Sequence, residues 1–404
     1  MGNIKNKALF TIVSKNYISF ARTLLDSVIK YNEDIDLYLL LADDNDGYID
    51  KSNEKYTLIE SHELNIINYV KMAFKYSIIE FNTALKPFFI EYLFNRGYEK
   101  VIYLDPDIMV FGNLSFIYDL LDRHSVVLTP HLTRPLSSLE QCFPPERMFL
   151  LAGAFNLGFI GVSKRTDTNE IISWWARKCS TDCFIDSYQS GCFVDQKWCT
   201  LFPGFSNSVH VLRHLGCNMA VWNLHERKLN RFLVNETDPL IFYHFSGYNP
   251  YDRNSITKNQ SYYTLSNRPD LIDIFNDYTD SVFNNGYAET KDWPYKYAYF
   301  ANGEPITTIA RQLFSNVADK YSDPFVTDNN SYYLLLNTRK ILRTGGATLS
   351  KQVTSQKVSN QWYSSVFKLL FKLIFMLLGP SRYTSFMSYI QKASNIRNQE
   401  YLIK

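Results

Sequence analysis

Short apolar runs alternate with amphipathic stretches along the first part of the chain. ALFTIVS (8–14) reads as a buried strand, and FARTLLDSVIKY (20–31) as the amphipathic helix that follows it. DLYLLLADD (36–44) is a second buried strand, ending in acids. NYVKMAFKYSIIEFNTALKPFFIEYLFNRG (68–97) has helical period, with a break expected near Asn82-Thr83 and a stop at Gly97. VIYL (101–104) is a third strand. This alternation predicts an α/β layer around a mostly parallel sheet. Ligands of such sheets bind beyond the carboxyl ends of the strands, where Asp43, Asp44, Asp105 and Asp107 fall. Further strands are expected at SVVLTPHL (125–132), AFNLGFIGVS (154–163), HVLRH (210–214) and LIFYHFSGY (240–248), and a helix at IISWWARKC (171–179). From 251 to 345 the pattern is mixed and rich in Tyr and Asn. TLSKQVTSQKVSNQ (348–361) reads as a polar linker before the apolar segment WYSSVFKLLFKLIFMLLG (362–379).

Composition narrows the class. The chain of 404 residues has room for about two domains, and 46% hydrophobic with 20% charged residues is a folded globular balance. A net charge of +2 supplies no basic field, so nucleic acid is excluded as a partner. The six cysteines form no CxxC pair, which suggests reduced thiols in a cytosolic setting. The opening MGNIKNKALFTIV has too short an apolar run for a secretory signal. No GxGxxG or GxxxxGK[ST] occurs, so neither a dinucleotide fingerprint nor a P-loop is available.

The chemistry concentrates in VIYLDPDIMVF (101–111). A proline keeps the preceding residue out of the helical region, so Asp105 is expected extended, with Asp105 and Asp107 on one side. Neighbouring carboxylates repel unless a cation lies between them. A hard divalent ion, Mg²⁺ or Mn²⁺, would take these oxygens and bridge them to phosphates. A solvated turn at a strand end would place acids there too. Phosphatases of the haloacid dehalogenase type carry a comparable D-x-D-x-[TV] with a nucleophilic first Asp, but here the fifth position is Met109 and two strand–helix units precede the motif.

Further segments occur in order: TIVSKNY, ALKPFFIEYLF, VIYLDPDI, TPHLTRP, FNLGFI, FVDQKW, VWNLHER and FYHFSG, then WPY, FANGEPI and DPF. Together, over about residues 8 to 345, they resemble bacterial glycosyltransferases related to family eight, whose Rossmann-like fold is called GT-A. The resemblance implies a catalytic domain over 1–250 and an extension packed on it over 251–347; the pattern of the residues adds a linker with an amphipathic tail over 348–404. It implies that Asp105 and Asp107 hold the metal, with Asp105 also touching the donor, and that His244 completes the shell. Thr11, Asn16 and Tyr17 would line the base pocket, following the first strand. Lys86 would contact the phosphate or sugar of the donor. Asn156, Asp195 and Gln196 would face the donor sugar and the reacting carbon.

Many family-eight members follow the late histidine with G-x-x-K-P-W, whereas this chain reads GYNPYDRN. Lys258, then Arg253, is the substitute cation for the leaving diphosphate. HERK (225–228) is either an acceptor contact or a solvated turn. The implied reaction moves a hexose from a nucleotide sugar, UDP-linked, to a glycan or lipid-linked acceptor in surface polysaccharide assembly. Retention of configuration needs no strong base; inversion would need a carboxylate, for which Asp195 is best placed. A non-catalytic sugar-binding subunit is the alternative class. Lys368 and Lys372 interrupt the apolar segment near the C-terminus, which fits an in-plane helix that makes the protein peripheral on the inner face of the cell membrane; packing on its own core or on a partner chain is the other reading.

Overall fold

The computed structural model describes residues 6–137, 143–342 and 361–404, and the side chains of all but 361–365 among them. The linker read at 348–361 falls outside this set except for Gln361. Contacts divide the chain into two units, Met1–Ala298 and Tyr299–Lys404.

The first unit is built on β1 (Lys7–Val13), β2 (Asp36–Leu41), β3 (Thr57–Glu60), β4 (Lys100–Leu104), β6 (Val126–Pro130), β7 (Phe155–Ser163) and β8 (Val209–Val211). They form a seven-stranded sheet in the order β8-β6-β7-β4-β1-β2-β3. Only β7 opposes its neighbours β4 and β6; the other pairings are parallel. A second sheet joins β5 (Ile108–Val110) to β10 (Phe242–His244), with β9 (Met219–Ala220) on its far side. The fold is therefore α/β with a mostly parallel central sheet, as the alternating pattern predicts. Strand β4 is buried at every position, which explains a sequence without alternation.

Helix α1 (Ile18–Tyr31) lays Ile18, Ala21, Leu24, Leu25 and Val28 onto the sheet. The helical stretch after β3 divides into α2 (Tyr69–Lys75), α3 (Ile78–Ala84) and α4 (Lys86–Asn95). The breaks fall at Tyr76-Ser77 and Leu85 rather than near Asn82-Thr83. Ser77 wins because it caps α3: its side chain accepts from Glu80 N–H, and Glu80 reaches back to the Ser77 N–H. Pro87 then fits the first turn of α4, where a missing N–H costs nothing. Gly97, at φ 95°, ends the run as expected.

In the second unit, helices at Thr308–Phe314 and Tyr332–Thr338 precede a long helical span, Gln361–Ala393. This span is two helices meeting at Gly379, which is non-helical at φ 71° and is followed by Pro380, so the apolar segment ends where the sequence predicts. Phe371, Ile374 and Leu378 are half-buried along one stripe, while Phe367, Leu369, Leu370, Met376 and Leu377 are exposed. The last residues return to the unit: Arg397 O accepts from Asn316 Nδ2 at 3.0 Å, and Ile403 is buried.

Asp43 joins the ends of the first unit's early strands. It is fully buried, and it accepts the backbone N–H of Lys296 at 2.9 Å, Asp44 at 3.0 Å and Lys15 at 3.4 Å. It is thus a joint, not a ligand-facing acid. Burial outweighs these bonds and the Lys15 charge, pushing its pKa up to about 6. Between the ordinary aspartate value and about 6, the folded state binds more protons than the unfolded one. The contribution of this group to stability therefore falls as pH rises through that window. Relative to Asp43→Asn, the parent should gain on the order of 3 kcal/mol between pH 7 and pH 4 in urea denaturation. A difference that does not vary with pH would refute the assignment.

Candidate active site

The backbone at Asp105-Pro106-Asp107 is a turn, not an extended segment. Asp105 N–H donates to Gly158 O at 2.8 Å, which ends the β4 pairing, and Ile108 N–H closes onto Asp105 O at 3.1 Å. Proline suits the second position of such a turn. The turn, rather than strand alternation, brings the two carboxylates to one side. The chain then enters β5, which pairs antiparallel with β10 so that Ile108 faces His244. Phe245 N–H donates to Asp107 O at 2.8 Å and locks the register.

The result is a three-residue cluster whose ligand atoms all lie within 4.8 Å of one another: Asp105, Asp107 and His244. His244 Nε2 is 3.0 Å from Asp107 Oδ1 and 3.8 Å from Asp105 Oδ2. Burial raises the Asp105 carboxyl, Lys86 and His244 pull it down, and Asp107 pushes it up again. Burial opposes charge on His244, but Asp107 and then Asp105 prevail, so its pKa is raised. Two carboxylates and an imidazole nitrogen form a donor set that fits a divalent cation. His244 Nδ1 lies 3.3 Å from Asn218 Oδ1, so the other ring nitrogen is engaged as metal-binding histidines require. Trp222 packs at right angles to the ring, with centroids 5.1 Å apart.

A second cluster of suitable groups, Asp44, Glu60 and His62, is already committed. Tyr297 O–H donates to Asp44 at 3.0 Å, and Lys51 pairs with Glu60 at 2.8 Å. It reads as an ion-pair network.

Lys86 begins α4 and is buried, not on a surface as a helix lysine could be. Its Nζ lies 2.7 Å from Asp195 Oδ2, 2.8 Å from Leu157 O and 4.2 Å from the centre of the Tyr103 ring. Tyr103 O–H in turn donates to Asp105 Oδ1 at 2.5 Å. Burial disfavours the Lys86 charge, but Asp195 and Asp105 more than offset this, and its pKa is raised. Burial raises Asp195 against the pull of Lys86. Asn156 and Gln196 are likewise buried and bonded within the protein. Gln196 Oε1 accepts Leu157 N–H at 3.0 Å, and Asn156 Oδ1 accepts Gly158 N–H at 3.0 Å.

Thr11 lies inside β1 and is fully buried, so it does not follow the strand into a pocket. Tyr17 stacks on Phe20 at 4.3 Å and is 37% exposed. Its hydroxyl pKa is raised by burial and then by the negative charge of Asp107. Asn16 is half-buried and its Oδ1 accepts from Ser14 Oγ at 2.8 Å. Lys258 is exposed, with its backbone N–H on Gly247 O at 2.9 Å, beside the turn that follows His244. Arg253 pairs with Asp280 at 2.8 Å. HERK is no solvated turn. Glu226 accepts Thr133 N–H at 3.1 Å, and Arg227 donates to the carbonyls of Leu215 and Cys217 at 2.8 and 2.9 Å, both side chains being buried.

Sequence reasoning missed Asn218, Tyr103, Trp222 and Gly158. Tyr103 and Trp222 stand inside segments already singled out, but nothing in the letters tells an apolar filler from a site neighbour. Gly158 is where a side chain cannot fit: a Cβ there would lie 2.5 Å from His244 Cε1 and Nδ1. Gly158→Ala should therefore push the imidazole off the carboxylates. The expected outcome is loss of about 1–3 kcal/mol of stability and at least a tenfold loss in divalent-metal affinity by calorimetry. A variant with the parent's metal affinity would show that the ring has another way to settle.

Residues 8–161 match the family model described as Glycosyl transferase family 8. YfnD of Bacillus subtilis (strain 168), itself uncharacterized, is 26% identical over 249 residues, spanning 59% of this chain and 76% of that protein. Among solved structures, the galactosyltransferase LgtC with donor and acceptor sugar analogs is 17% identical, over 68% of this chain and 95% of that one, at a TM-score of 0.42. GlyE of Streptococcus pneumoniae TIGR4 is 18% identical, over 83% of this chain and 84% of that one, at 0.41. The matched family segment runs from β1 through the Asp105-Pro106-Asp107 turn into β7, and this part of the chain is related to the family-eight glycosyltransferases.

Proposed function

We propose that the protein moves a hexose from a UDP-sugar to a glycan or lipid-linked acceptor in surface polysaccharide assembly, with Mn²⁺ or Mg²⁺ held by Asp105, Asp107 and His244. The observation that carries this reading is the cluster of those three side chains at the carboxyl end of β4. The imidazole donor weights the choice toward Mn²⁺. When bound, the ion neutralises charge that develops on the leaving diphosphate. The chain's own residues orient the donor around it. Tyr17 supports the nucleotide side. Lys258, exposed beside the turn after His244, is the cation that reaches the diphosphate, since Lys86 is already held by Asp195. Asp195 is almost wholly enclosed and ion-paired, which supports retention over inversion: a general base must reach the acceptor proton.

Asp107→Asn tests the reading. Transfer or hydrolysis of a UDP-sugar with Mn²⁺ should fall by at least about a hundredfold, while the metal-free protein stays folded. Full activity in excess chelator would refute the metal role. A parent protein that binds UDP-sugars but turns none over would favour the sugar-binding subunit.

The helical span Gln361–Ala393 is proposed as an in-plane membrane anchor, making the enzyme peripheral on the cytoplasmic face. Among the described residues no helix is long and apolar enough to cross a membrane. Leu377 is 84% exposed, Met376 62% and Leu369 61%, with Lys368 and Lys372 beside them. That is apolar surface with cations at headgroup height. Deleting the whole C-terminal region is a poor test, because residues near Arg397 and Ile403 pack within the second unit. The triple variant Leu369→Glu, Met376→Glu and Leu377→Glu should instead stay folded, keep activity on a soluble acceptor and fail to sediment with anionic vesicles. Undiminished sedimentation would place the membrane surface elsewhere.

A further inference from the structure

Three buried side-chain amides connect the main chain to His244, and their polarity is fixed from one end. Gln196 Nε2 donates to Ala152 O at 2.9 Å, while its Oε1 accepts Leu157 N–H at 3.0 Å, so this amide cannot be turned round. Asn156 Oδ1 accepts Gly158 N–H at 3.0 Å, which leaves its Nδ2 toward Gln196 Oε1 at 3.5 Å. Asn218 Nδ2 then donates to that same Asn156 Oδ1 at 3.0 Å and to Thr129 Oγ1 at 2.8 Å, using both of its protons. Only Oδ1 of Asn218 remains to face His244 Nδ1, at 3.3 Å. An acceptor at that place demands a proton on Nδ1. In the neutral ring, Nε2 then carries the lone pair, and Nε2 is the atom 3.0 Å from Asp107.

We propose that Gln196, Asn156 and Asn218 are positioning residues that hold His244 in the Nδ1–H tautomer and aim Nε2 at a divalent cation between Asp105 and Asp107. This rests on the metal reading above. The backbone supports it. Asn218 sits at φ 55°, a left-handed conformation that asparagine tolerates better than most residues. A Cβ at Gly158 would lie 2.5 Å from His244 Nδ1 and Cε1, so the ring has no room to shift that way. An amide acceptor also suits the charge balance. It orients the imidazole as a carboxylate would, without a third negative charge beside Asp105 and Asp107.

The test is Mn²⁺ binding to the purified full chain, read from the free-ion electron paramagnetic resonance signal with no sugar present. The parent should take up Mn²⁺; if it takes up none, the metal reading itself fails. Asn218→Gly keeps the backbone conformation and removes the acceptor, and should bind about ten- to a hundredfold more weakly. The ¹⁵N shifts of the His244 imidazole, read on the metal-free chain at a pH where the ring is neutral, give the tautomer directly. The parent should show a protonated Nδ1, and Asn218→Gly should lose that preference. A merely structural role would weaken Mn²⁺ binding without moving the tautomer. Parent-like binding by Asn218→Gly, or an unchanged tautomer, overturns the inference while leaving the metal reading intact. Should Asn218→Gly fail to fold, the parent's tautomer decides alone, and a bare Nδ1 with a protonated Nε2 overturns it.

Discussion

A single register governs the site: His244 of β10 lies opposite Ile108 of β5. One residue of slip would turn His244 to the other face of the small sheet and separate it from the acids. Phe245 N–H on Asp107 O and Phe111 N–H on Ile241 O fix that register from both ends of the pairing. The reversed direction of β7 does the rest. Because it opposes β4, its first residues lie beside the last residues of β4, with Phe159 opposite Leu104. Asn156 and Gly158 consequently meet Asp105 and His244. A parallel strand at that place would bring its far end to the acids instead.

The site also contains a buried ion pair, and such pairs are weak evidence for stability. Desolvating Lys86 and Asp195 costs several kcal/mol, which the 2.7 Å contact must offset. Their value is better sought in placement. Lys86 touches the Tyr103 ring, and Tyr103 donates to Asp105, so the pair fixes the orientation of the first acid of the cluster. It also cancels its own charge, leaving the neighbourhood negative through Asp105 and Asp107 alone.

Much of this was legible in the letters, for definite reasons. Strands β1, β2 and β4 are apolar runs because both of their faces are covered. Asp105 and Asp107 follow such a run directly, so their position past a strand end could be read. The turn could not, because proline also accepts the extended geometry first expected of it. The burial of Lys86 could not be read, because its partner Asp195 is remote in sequence and no periodicity marks the pair. HERK looked polar enough for solvent, yet Glu226 and Arg227 are buried because backbone groups of Thr133, Leu215 and Cys217 take up their hydrogen bonds. Asn218 carried no signal at all. Its importance lies in a positive φ and in neighbours that only the folded chain brings together.

Charge balance bears on the proposed reading. Burial opposes charge on His244, but Asp107 and Asp105 raise its pKa, and the two carboxylates present a negative surface to a diphosphate. Asp105, Asp107 and His244 would hold a divalent ion that offsets those charges, since Lys86 and Asp195 already cancel each other. The leaving diphosphate still carries more charge than the neutralised cluster can meet. The remaining stabilisation must come from a cation that the protein interior has not consumed. Lys86 is held by its buried partner, whereas Arg253 lies in an exposed pair with Asp280. On the proposed reading Lys258, exposed and held through its backbone to Gly247, is the first candidate for the task and Arg253 the second.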